Sequence, residues 1–152
     1  MEFKNPAQLR RIADISTAAP KTMIRRERLD RWADLLARNP GRMLKTLEEI
    51  EFKPSKHRAA MRADNSPFSV AYADPVLREE GLKSDRLGDA LTFFGISEHQ
   101  AHRVVCSCLN GRMIESGRAA QKVRAIASGT HEIVAGLAIA AMIGAPLFLY
   151  FF

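Results

Sequence analysis

From Ile133 to Phe152 the sequence reads IVAGLAIAAMIGAPLFLYFF, twenty residues without a charged or strongly polar side chain. At ~1.5 Å of rise per helical residue the run is about 30 Å long, the thickness of a bilayer's hydrocarbon core. A helix that is apolar all round needs neighbours on every side. A chain of 152 residues supplies few of them, so lipid is the expected surround and the run is read as a transmembrane helix. Thr130 as N-cap and Glu132 in the first turn suit its start. Pro146 bends its last turn, and Phe148, Tyr150, Phe151 and Phe152 place aromatic rings at the far interface.

Charge orients the span. Arg118, Lys122 and Arg124 precede it and no charge follows it, which predicts that the N-terminal part is cytoplasmic. The opening residues carry charges through their middle and have no apolar stretch of signal-peptide length. The expectation is a tail-anchored, single-pass protein with a cytoplasmic helical domain at residues 1–128 and a membrane anchor at 129–152. Arginine in excess of lysine, with abundant alanine, points to a bacterial inner membrane. Gly136, Ala140 and Gly144 recur every four residues, a small-residue strip that lets a second helix approach closely, either another copy or a different membrane protein.

The remaining net charge of +6 is concentrated near the N-terminus, where residues 1–60 hold 14 basic and 8 acidic side chains. Arg25, Arg26 and Arg28, with Arg118, Lys122 and Arg124 next to the span, are candidates for contact with an anionic lipid surface. The alternative is a solvated helix face, since Glu27, Asp30 and Asp34 interleave with these arginines. Nucleic acid is the less favoured partner.

Helical spacing and caps predict an all-α domain of five or six helices. Asn5-Pro6 opens a first helix bearing Leu9, Ile12 and Ile15, which ends before Pro20. A second runs from about Thr22 to Arg38 with Leu29, Trp32, Leu35 and Leu36 on one side. Asn39-Pro40-Gly41 turns the chain into a third with Met43, Leu44, Leu47 and Ile50, forming a helical hairpin. Residues 53–66 read as a loop, and FSVAY (68–72) as irregular or helical. Asp74-Pro75 begins a short helix that Gly81 stops, and Ser84 leads into one ended by Gly95. Ser97 and Gln100 form a capping box for a helix continuing to Gly111, and Ser116 opens the last helix before the span.

His99, His102 and Cys106 fall on one face of that capped helix, with Cys108 nearly opposite. Imidazole and thiolate favour zinc and related metals, so these three residues form the candidate metal set, with His57 a possible fourth. In a regular helix Cys106 and Cys108 diverge too far for a disulfide, which fits a reducing compartment. The run His102 to Cys108 resembles the zinc-associated anti-sigma factors, in which a His precedes a Cys-x-x-Cys pair ahead of one membrane span; here the pair is Cys-x-Cys. That resemblance implies a zinc-linked transcription regulator. Gly95-Ile96-Ser97 with Ala101 and Arg103 resembles the turn and second helix of helix-turn-helix proteins, which implies DNA binding. Phosphate loops, nucleophile elbows and His-Glu-x-x-His motifs are absent from the sequence, so neither an enzyme nor a bound cofactor is expected. The sequence favours an adaptor, regulator or accessory subunit of a membrane complex, with a membrane-linked transcription regulator as the alternative.

Overall fold

Trp32 is the hub around which the helices gather. In the computed structural model, which describes residues 22–129, it lies on helix α1 (Arg25–Ala37). The Glu27 carboxylate accepts the Ile24 N–H at 2.9 Å at the start of this helix. Leu29, Trp32, Ala33 and Leu36 are buried at the spacing of one helical face. The indole stacks between Phe68 and Phe94, with ring centroids 5.3 and 4.6 Å away. Its Nε1–H donates to the Pro67 carbonyl at 2.9 Å, so the polar tip is satisfied inside the core.

The longest companion of α1 is the last described helix, α8 (Ser116–Ser128), whose Ala119, Ala120, Val123 and Ile126 face inward. The two make the most extensive helix contact among the described residues. The Ser116 hydroxyl donates to the Leu36 carbonyl at 2.7 Å, which sets the start of α8 beside the end of α1. Gly117 lies so close to Pro40 that a Cβ there would stand 2.9 Å from the proline Cβ.

Between these helices the chain departs from the expected helical hairpin. Met43–Lys45 is a strand, β1, paired antiparallel with β2 (Met113–Glu115), Leu44 opposite Ile114. Leu44 and Ile114 point into the core. Met43, Leu44, Leu47 and Ile50 do have helical spacing, but the backbone partners of this segment come from distant residues, Asn65 for the Lys45 N–H and residues 105–115 for its neighbours, which local periodicity cannot register. Leu47 then makes a single bridge to Cys106: its N–H donates to the Val105 carbonyl at 2.7 Å, and its carbonyl accepts the Ser107 N–H at 3.1 Å. Ile50–Phe52 is one 3-10 turn.

The stretch read as a loop contains a short helix, α2 (Ser55–Ala60), with no buried residue of its own. FSVAY is helical within α3 (Pro67–Ala73), where Ser66 Oγ accepts the Ser69 N–H and Phe68 and Ala71 are buried. Asp74 caps α4 (Pro75–Glu79) as expected, and Gly81 follows with φ +111°. Helix α5 (Leu87–Phe94) ends at Gly95, in the left-handed region. The Ser97–Gln100 capping box opens α6 (Glu98–Val105).

The helix expected to run on to Gly111 instead breaks at Cys106 (φ −76°, ψ 133°), and α7 (Ser107–Asn110) starts anew. The Leu47 bridge occupies the backbone groups at the break, and the Asn110 amide donates to the Cys106 carbonyl at 3.0 Å. The described part is therefore mostly helical, with eight α-helices and one two-stranded ribbon among the described residues. The expected helix near Leu9, Ile12 and Ile15, the run 133–152 and the strip Gly136, Ala140, Gly144 lie outside the described residues. Among the described residues no helix is long and apolar enough to cross a membrane.

Candidate thiol and carboxylate site

The break at Cys106 decides the local chemistry. A regular helix would turn Cys106 and Cys108 apart, but one extended residue at the junction lets their sulfurs converge. The Leu47 bridge lays residues 48–52 alongside, which brings in Glu51 from 55 positions away. Cys106 is fully buried, and its thiol donates to Glu51 Oε2 at 3.5 Å. The two sulfurs and a Glu51 carboxylate oxygen all lie within 4.8 Å of one another.

Cys108 and Glu51 are exposed and border an open depression of about 320 Å³, together with Glu48, Glu49 and Arg112. A larger depression of about 540 Å³, between the ribbon and Met61–Ala63, shares Glu48 and Arg112 with it. Glu49 has φ +53° and opens the 3-10 turn that carries Glu51. A residue with a Cβ pays roughly 1–2 kcal/mol in that conformation.

Burial, reinforced by hydrogen bonding with Cys108 and Glu51, pushes the Cys106 thiol pKa up to about 12. Cys106 alone is thus a neutral thiol near pH 7 and a poor nucleophile. Both cysteines are free thiols.

Of the metal set read from sequence, only Cys106 belongs to this cluster. His99 is exposed on α6. His102 Nε2 lies 3.5 Å from Glu98 Oε1, and Glu98 in turn pairs with the Arg58 guanidinium of α2. The first turn of α6, which a DNA-reading helix would offer to base edges, is thereby engaged in part with α2. Glu51 was missed because no spacing rule links it to the cysteines. The N-cap of α7 is Cys106 itself, with no side-chain capping bond, so no local cap marks the new start.

The six proposed surface cations divide by environment. Arg25 Nε donates to the Gly95 carbonyl at 2.8 Å, and Arg28 lies over the Phe93 ring at 4.9 Å. Arg26 is exposed near Asp30, Arg124 pairs with Asp34 at 3.0 Å, and Arg118 is exposed. Lys122 is a correction: it is half-buried and donates to the Arg103 carbonyl and Asn110 Oδ1, tying α8 to the end of α6 and to α7. Burial, and then the charges of Arg118 and Arg103, lower its pKa.

Compared with protein-family models, curated proteins and solved structures, the chain matches none. Its functional reading therefore rests on residues and geometry.

Proposed function

We propose that the chain is a single-pass membrane protein in which the segment 133–152 is the anchor. The helical domain is held at the cytoplasmic face as an adaptor, regulator or accessory subunit of a membrane complex, with no catalysis of its own. The observation that carries this reading is the uncharged run of twenty residues from Ile133, long enough to span the hydrocarbon core. Two features of the described domain agree with it. Gly129 (φ +66°) ends α8 four residues before the run begins, where a joint between domain and anchor is expected. Arg118 and Arg124 are exposed on that same helix, and beside an anionic leaflet each cation is worth roughly 1 kcal/mol.

Exposed apolar side chains give the domain something to offer a protein partner. Phe52 is 80% exposed and Leu109 58%, each next in sequence to a residue of the thiol cluster. Met43 and Met113 project from the outer side of the ribbon. Gly136, Ala140 and Gly144 supply a second contact surface, within the bilayer, for a partner helix or another copy. The test is an alkaline carbonate wash of membranes from expressing cells. The full chain is expected to stay with the sediment, while a variant ending at Gly129 is released. Appearance of the full chain in the supernatant would overturn the anchoring.

A further inference from the structure

We propose that Glu51, Cys106 and Cys108 form a binding site for a thiophilic divalent cation, zinc in the first instance, with a fourth position open to solvent. The donor set is the first reason. Two sulfurs and one carboxylate oxygen suit a soft or borderline ion such as zinc and not magnesium or calcium, which take oxygen ligands throughout.

Geometry is the second reason. Tetrahedral zinc with Zn–S of about 2.3 Å and Zn–O of about 2.1 Å holds its sulfur and oxygen ligands roughly 3.6 Å apart. The Cys106 Sγ to Glu51 Oε2 distance is 3.5 Å, and the whole set lies within 4.8 Å. The side chains that would close the remaining gap, Cys108 and Glu51, are exposed.

Pre-placement is the third. The ligands come from two segments far apart in sequence, clipped together by the Leu47 backbone bridge. The approach is open as well, because Cys108 and Glu51 line the depression that also holds Glu48, Glu49 and Arg112. A water, or Glu48 or Glu49, can complete the coordination. Each thiol that enters the coordination sphere releases its proton to solvent, and no electron is transferred. Two thiolates, one carboxylate and a divalent ion leave a single negative charge, with the Arg112 guanidinium nearby to offset it.

The site stands independently of the membrane reading and is tested on the purified, reduced full chain in detergent. Titration with Co²⁺ as a spectroscopic probe is expected to give one equivalent with thiolate-to-cobalt charge-transfer absorption, which Zn²⁺ then displaces. Cys108→Ser should abolish that absorption. Glu51→Gln should weaken binding by at least the ~10–100-fold that loss of even an outer partner costs. Both residues are exposed, so the variants keep the fold, and Cys106 need not be touched. His102→Ala should bind as the parent does, which separates this site from one built on the histidines. Absence of the charge-transfer band in the parent, its persistence in Cys108→Ser, or parental affinity in Glu51→Gln overturns the proposal.

Discussion

Trp32 and Cys106 are both 0% exposed, yet their surroundings are built to different ends. Around Trp32 every contact closes inward: two stacked rings, an edge-on Phe93 against Phe94 at 5.0 Å, and a satisfied indole N–H. Around Cys106 the structure opens outward, with a left-handed Glu49, a thiol beside a carboxylate, and a water-accessible depression. The first arrangement stabilises the fold. The second holds thiol and carboxylate groups in positions suited to a ligand. Buried position alone therefore does not tell whether a residue serves packing or chemistry; its partners do.

Truncation at the hub should have the largest effect. Trp32→Ala removes both stacking partners' shared ring and the bond to Pro67, and should cost about 3–5 kcal/mol in denaturant unfolding. A loss below ~1 kcal/mol would mean that the aromatic cluster is not the stabilising centre.

The Asp74 pair links α1 to the α3–α4 corner and should come second. Arg31 donates to both Asp74 oxygens, at 2.6 and 3.0 Å, while Asp74 also accepts the Leu77 N–H. Asp74→Ala should destabilise by about 2–3 kcal/mol. Those bonds, with that of Arg31 first, hold the Asp74 carboxyl below its usual pKa despite the opposing effect of burial. Its stabilisation is therefore complete above the ordinary carboxylate range near ~4 and is lost as pH falls through the lower folded value. Unfolding measured across that acidic window should show a steep loss in the parent and a flatter one in Asp74→Ala.

At Glu49 the smallest change is expected, and with the opposite sign. Glu49→Gly relieves the left-handed backbone, worth roughly 1–2 kcal/mol, but raises the entropy of the unfolded chain by roughly 0.5–1 kcal/mol. A net gain of a few tenths to about 1 kcal/mol is expected in the same unfolding measurement. A clear loss would show that the Glu49 side chain supports the fold.

What the sequence disclosed follows the same division. The buried face of α1, the Ser97–Gln100 box, the Asp74-Pro75 start and the Gly95 stop depend on residues a few positions apart, and these were legible. The ribbon was not, because Met43–Lys45 is three residues long and its partner strand lies far along the chain. The same holds at Cys106, where a bridge from Leu47 interrupts a helix that the Ser97–Gln100 cap and the Gly111 stop would otherwise bound. With the break hidden, Cys108 reads as pointing away from Cys106, His99 and His102 join Cys106 as the ligand candidates, and Glu51 stays out of view. Lys122 was likewise counted as a surface cation, since nothing local shows the carbonyl of Arg103 waiting for it.

Native-state hydrogen exchange, followed amide by amide with and without Zn²⁺, compares the two regions in one experiment. The Leu36 amide in α1 should exchange only through global unfolding. The Phe52 and Gly111 amides, which donate to Glu49 and Ser107, should exchange through local opening and be slowed selectively by the ion. Equal opening free energies at all three amides, with no response to zinc, would contradict the division of the molecule into a packed centre and a ligand-holding corner.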